Sequence, residues 1–81
     1  MLYRLPLLFE PQPEGGFTVT SPLLPELVTE GDTLEEAYTN ARYAFDAVAE
    51  LYAEEGRALP TGLSVIPRGE TVLAEALVTA P

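Results

Sequence analysis

Along residues 2 to 9 the side chains alternate between two faces. Tyr3, Leu5, Leu7 and Phe9 fall on one, and Leu2, Arg4, Pro6 and Leu8 on the other, which is the two-residue period of a β-strand. Pro6 has no N–H to give to a ladder, so it argues for an edge position, a bulge or a site whose N–H faces no partner. The run Glu10-Pro11-Gln12-Pro13-Glu14-Gly15-Gly16 combines fixed φ angles with two residues free to take positive φ, the chemistry of a hairpin turn. Phe17-Thr18-Val19-Thr20-Ser21 returns as a second strand, with Phe17 and Val19 on the buried face and Thr18 and Thr20 opposite. The two prolines of Ser21-Pro22-Leu23-Leu24-Pro25 forbid a regular element there and make a corner. Leu27-Val28-Thr29-Glu30 offers a short third strand that ends at Gly31.

The period then changes. Leu34, Ala37, Tyr38, Ala41, Ala44, Phe45, Val48, Leu51 and Tyr52 recur at helical spacing, and one amphipathic helix of about 23 residues, about 34 Å long, is expected. Asp32 or Thr33 serves as N-cap, each with a glutamate three residues on, Glu35 or Glu36, able to complete a capping box. Gly56 supplies the stop and Pro60 prevents a restart. Residues 59 to 69 are rich in breakers and read as mostly loop, with room for a brief pairing at Val65-Ile66. In the tail, residues 71 to 79 read as a strand by their β-branched ends, although Val72, Leu73, Ala76 and Leu77 also fit a helical face. The expected fold class is α+β, in the order β-β-β-α-β, a small mainly antiparallel sheet with one long helix packed on one face.

At 81 residues the chain holds one core, so residues 1 to 81 are read as a single domain. A domain of this size is marginal without a staple, and the sequence has neither Cys nor His to make a disulfide or the commonest metal ligand. Self-association, as a homodimer or higher homo-oligomer, is the expected supplement. One helix covers one sheet face, and the first and last strands carry apolar residues on both, so the other face or a strand edge should be buried by a second copy or a partner. The apolar N-terminus is too short to span a membrane and no small-residue cleavage site follows it, so neither a membrane nor a secretory route is expected, and the cytoplasm is the default.

Charge changes the picture most. Thirteen acidic residues face four arginines and no lysine, a formal net charge of −9. Arg4, Arg42, Arg57 and Arg68 are scattered singly, so direct nucleic-acid binding is not expected, whereas attraction to a basic protein is. Ser-His and Cys-His catalysis are excluded by composition. Gly15-Gly16 leads into a strand rather than a helix, which excludes a phosphate loop. No enzyme, cofactor or metal is expected. Asp46, Glu50 and Glu54 form a row at successive i, i+4 steps, read either as a solvated acidic face or as a docking stripe for a basic partner. Glu10, Glu14 and Glu26, near the hairpin and corner, are rival contacts. Tyr38, Phe45 and Tyr52 read as core or dimer contacts rather than a ligand box.

Four pieces in order, Glu10-Pro11, Glu14-Gly15-Gly16-Phe17, Ser21-Pro22-Leu23-Leu24-Pro25 and Glu30-Gly31-Asp32-Thr33-Leu34-Glu35-Glu36-Ala37, resemble the N-terminal domain of HicB-type antitoxins. The resemblance covers roughly residues 1 to 55 and implies a partial ribonuclease H fold with an internal first strand, and hence a bulge at Pro6. It also implies a non-catalytic protein-binding role: occlusion of a small basic HicA-type toxin, an mRNA-cleaving enzyme encoded as a separate chain. Two features depart from the family. Leu23-Leu24-Pro25-Glu26 stands where Asp-Leu-Pro-Gly is common, and the sequence stops at Pro81 before any helix-turn-helix or ribbon-helix-helix module, so operator binding by this polypeptide alone is not expected. A ribonuclease H relationship also raises a carboxylate metal site, but the strand interiors offer little beyond Glu75. The alternative is a stand-alone oligomeric scaffold or small-ligand binder of the same fold with no toxin.

Overall fold

The computed structural model describes residues 1 to 81. Five short strands and one helix follow in the order β1 (Leu2–Arg4), β2 (Leu8–Pro11), β3 (Phe17–Thr20), β4 (Val28–Gly31), α1 (Leu34–Glu54) and β5 (Ser64–Ile66). The fold is α+β and every ladder is antiparallel. β2, β3 and β4 form a three-stranded sheet in that order, while β1 and β5 form a separate two-stranded ribbon.

Pro6 is the reason for the division. The alternation of residues 2 to 9 persists, with Tyr3, Leu5, Leu7 and Phe9 half-buried and Leu2, Arg4, Pro6 and Leu8 exposed. The ladder does not persist: Leu5-Pro6-Leu7 lies outside both sheets, and a residue without an N–H sits where pairing passes from one partner to another. The sequence read one strand with a bulge; the structure has two strands serving two ladders. Leu2 pairs with Ile66 and Arg4 with Ser64 in the ribbon, whereas Phe9 pairs with Val19 in the sheet.

A second correction concerns the tail. Residues 71 to 79 form neither strand nor helix and lie exposed. The strand that follows the helix is Ser64–Ile66, inside the segment read as mostly loop and at the place where a brief pairing at Val65-Ile66 was expected. Pro67 ends it, and a turn closed by the Glu70 N–H to the Pro67 carbonyl at 3.3 Å carries the chain away. The tail then meets β1 through the Arg4 guanidinium, which donates to the Leu73 carbonyl at 2.8 Å.

The helix begins where Thr33, in extended conformation, accepts the Glu36 N–H on its hydroxyl, one of the four N–H groups that helix geometry leaves free. It ends in a Schellman motif: the Arg57 N–H reaches the Tyr52 carbonyl at 2.8 Å and the Gly56 N–H the Ala53 carbonyl at 3.1 Å, with Gly56 at φ +67°. Its apolar stripe makes the core in two parts. Ala37 and Ala41 lie against Val19, flanked by Phe9 and Phe17; Val48 and Tyr52 lie against Leu24 and Leu27, flanked by Leu5, Phe45 and Leu59. The corner is therefore a core element, since Leu24 and Leu27 are its largest fully buried side chains together with Val19.

Small residues set how close helix and sheet come. A Cβ on Gly31 would stand 2.6 Å from the Ala37 Cα, and backbone cannot move aside as a flexible side chain can. Gly31→Ala is expected to lower stability by about 3 kcal/mol, the upper range for overpacking, and Thr33→Ala by about 1 kcal/mol through loss of the cap. Urea unfolding followed by circular dichroism measures both, and a Gly31→Ala loss no larger than that of Thr33→Ala would contradict the close approach.

Candidate functional site

Functional chemistry on this chain is the chemistry of its carboxylates, among which two exposed groups and one lock at the surface stand out. The first group is at the hairpin end of the sheet. Glu10 on β2 and Glu30 on β4 both register with Thr18 on β3, which places them on the outer face, away from α1. Glu14 in the turn joins Glu30, Asp32 and Glu36 around a polar depression of about 340 Å³. Asn40 closes one side by donating to the Glu30 carbonyl at 2.8 Å. Asp32 and Glu36 were legible as capping residues and not as neighbours of Glu14; only the strand register brings them together. Glu35 and Glu36 in the first helical turn also complement the positive end of the helix dipole.

The second group is the row on α1. Asp46, Glu50 and Glu54 are exposed, as i, i+4 spacing requires of one face. Asp46 borders a groove between α1 and β1 that also touches Arg42; Glu50 and Glu54 continue toward the C-terminal end. There the helix carries no basic residue in its last turn, so Glu54 and Glu55 oppose the negative end of the helix dipole, and Glu50 faces a like charge four residues away on each side. Like charges at that spacing cost the helix a few tenths of a kcal/mol per pair.

Glu26 is different. Its two carboxylate oxygens lie 2.9 and 3.0 Å from the Tyr52 hydroxyl, which donates to them, and Arg57 donates to one of them at 3.2 Å. The Arg57 guanidinium stacks 4.0 Å above the Tyr52 ring and reaches Glu55 at 2.9 Å, a cation–π contact added to an ion pair. Proline, leucine and glutamate of the corner are thus fastened to the end of the helix 26 residues away. Glu26 was read from sequence as a rival partner contact, and the structure brings it together with none of the other five. Spacing gave no signal of this lock, because Glu26 lies 26 and 31 residues from Tyr52 and Arg57.

The arrangement can attract and hold cations spread over a surface. No set of three or more carboxylates converges as metal ligands would, and no helix is long and apolar enough to cross a membrane. Phe45 and Tyr52 serve the core, with the Tyr3 and Phe45 rings 5.9 Å apart, while Tyr38 is half-exposed beside the groove.

No family model matches the chain. Among curated proteins it is similar to Antitoxin HicB 1 of Photorhabdus laumondii subsp. laumondii, 42% identical over 57 residues that cover 70% of this chain and 37% of that protein. It is similar also to Antitoxin HicB of Escherichia coli K12, 35% identical over 57 residues covering 70% of this chain and 41% of that one. These homologues, 35 to 42% identical over about 70% of the chain, support a place in the HicB-type antitoxin-like family. This HicB-like chain spans about two fifths of the length of the curated relatives it matches.

The lock makes the HicB-like fold sensitive to acid. The Glu26 backbone N–H first, then the Tyr52 hydroxyl and the Arg57 guanidinium, hold the Glu26 carboxyl below the usual carboxylate range. A lowered folded pKa contributes stability that is present above the unfolded value and lost as pH falls through the folded one. The donation to Glu26 and burial raise the Tyr52 phenol, so its contribution is complete below the ordinary tyrosine value and is lost as pH rises through the raised one. Melting temperature should therefore fall below about pH 4.5, and in Glu26→Gln this acid limb should be shallower than in the wild type. An unchanged acid limb in Glu26→Gln would contradict the lock.

Proposed function

We propose that this chain is a non-catalytic protein-binding module, a HicB-like antitoxin that binds and neutralises a small basic HicA-type mRNA-cleaving toxin in the cytoplasm. The similarity to HicB antitoxins at 35 to 42% identity is the observation that carries this reading. The carboxylates supply its physics. Asp46, Glu50 and Glu54 stand exposed in one row on α1, with like charges at successive i, i+4 steps. Facing a basic partner they would be neutralised, and the helix would gain rather than lose by them. Glu10 and Glu14, with Glu30 and Asp32, make a second acidic surface for the same partner. Glu26, engaged by Tyr52 and Arg57, acts by holding the corner and the helix end in place. Inhibition works by steric occlusion and needs no chemistry from this chain, which has no Cys or His.

A second reading, a stand-alone oligomeric scaffold or small-ligand binder of the same fold, draws on the apolar groove of about 510 Å³ beside β1. The two readings differ in what the charges do. Replacing Asp46, Glu50 and Glu54 together by Lys is expected to weaken binding of the basic partner at least about 30-fold, about 2 kcal/mol, with unchanged far-ultraviolet circular dichroism. Isothermal titration calorimetry with the protein encoded beside this one reads the change. Unaltered affinity would remove the helix row from the interface, and absence of any binding would favour the scaffold.

A further inference from the structure

The three-stranded sheet has two free edges, and its backbone bonding shows what each offers. The Gln12 N–H donates to the Gly16 carbonyl at 3.0 Å. Bonded and unbonded pairs alternate along an antiparallel ladder, so Glu10–Thr18 and Leu8–Thr20 are bonded pairs, and Thr18 and Thr20 turn their backbone groups toward β2. Phe17 and Val19 turn theirs toward β4, where they bond Gly31 and Thr29. The N–H and C=O groups of Val28 and Glu30 therefore point outward from β4, as the backbone groups of Phe9 and Pro11 do from β2. Asn40 agrees with this assignment, since its amide donates at 2.8 Å to the Glu30 carbonyl, which β3 leaves free.

The two edges are not equivalent. On β2 an outward position is held by Pro11, which has no N–H to offer an added strand, one of the ways proteins blunt an edge. β4 has no proline. The Val28 N–H, the Val28 carbonyl and the Glu30 N–H enter no backbone hydrogen bond of the ladder, the turns or the caps. Val28 is 63% exposed, and Glu30 is exposed beside it. Unpaired strand groups in a row are a template for another strand. The side chains add a pattern on the outer sheet face, where Leu8, Thr20 and Val28 form one row across the strands and Glu10, Thr18 and Glu30 form the next.

We propose that β4 takes up an extended basic segment of a partner protein as a fourth strand of this sheet. Antiparallel addition lets Val28 exchange both backbone bonds with one residue of the segment, while the Glu30 N–H donates to the residue two places before it. Continuing the rows, the first of these residues carries an apolar side chain against Val28 and the second an arginine or lysine against Glu30. A second copy of this chain fits poorly. Pairing β4 with β4 about Thr29 sets Val28 against Glu30 and brings two chains of net charge −9 edge to edge. The Glu30 carboxylate thus turns away a like chain and guides a basic one. The proposal rests on the reading of this chain as a binder of a basic protein, and adds a contact made by backbone as well as by carboxylates.

Amide exchange of the full chain, read by nuclear magnetic resonance, tests this. The probe is a short end-blocked threonine peptide bearing an arginine and, two residues on, a valine; its control has glutamate in place of the arginine. With the arginine peptide near saturation, exchange at the Val28 and Glu30 amides should slow at least about 5-fold, with Phe9 on the other edge unchanged. The control should bind at least about 10-fold more weakly. Val28→Pro removes an N–H that bonds nothing in the fold, so it should keep the circular dichroism and weaken the arginine peptide at least about 10-fold, against at most about 3-fold for Val28→Ala. Should Val28→Pro not fold, the wild-type exchange pattern decides. No binding at about 1 mM peptide, equal binding of the control, or full affinity in folded Val28→Pro would each overturn the proposal. So would protection of Val28 and Glu30 that rises with the chain's own concentration, which would assign the edge to a second copy. A basic protein that binds while both amides keep their free exchange rates would overturn strand addition and leave the antitoxin reading intact. Peptide held at β4 by a chain that binds no basic protein would sustain strand addition and count only against that reading.

Discussion

The seating of one helix on one sheet governs this structure. Gly31, Ala37 and Ala41 remove side-chain bulk where β4, β3 and α1 meet, so the helix lies close and Val19 is completely enclosed. That contact buries one sheet face and leaves the chain no second helix for anything else. The molecule is accordingly thin, 17 Å in its short dimension against 39 and 32 Å in the others. Only ten residues are buried, too few for the chain to have spent its apolar surface on itself.

What could be read from sequence follows from the range of the forces involved. The helix and both of its ends were legible because capping, period and the glycine stop act within a few residues; Thr33 and Gly56 do what their positions predict, while the Glu36 carboxylate makes no bond back to the cap, so only half of the expected capping box forms. The alternation of residues 2 to 9 gave the correct buried set, Tyr3, Leu5, Leu7 and Phe9, because side-chain direction is local. Partnership is not local. Nothing in the alternation says that Leu2 to Arg4 pair with β5 while Leu8 to Pro11 pair with β3, and β-branched ends alone could not tell a strand at Ser64–Ile66 from one in the tail. The acidic residues show the same limit. Spacing found the helix row, but the grouping of Glu14 with Glu30 and Asp32 depends on register, and the engagement of Glu26 by Tyr52 and Arg57 depends on the whole fold.

Composition and geometry then combine. The net charge of −9 by itself implied basic partners; the structure adds where carboxylates gather, along α1 at Asp46, Glu50 and Glu54 and around the hairpin at Glu14, Glu30, Asp32 and Glu36. Contacts made by such exposed charges weaken as salt rises. The HicB-like relationship fits a molecule built this way: a small layer presenting carboxylates in a pattern held by the helix and the locked corner.

Native mass spectrometry of the tagged chain, recovered from lysate of its source at low salt and at about 1 M salt, where the Debye length is about 3 Å, tests the role of the carboxylates most directly. The account predicts a small basic protein bound to the chain at low salt and released at high salt. No basic protein at low salt, or a partner retained equally through both washes, would contradict it.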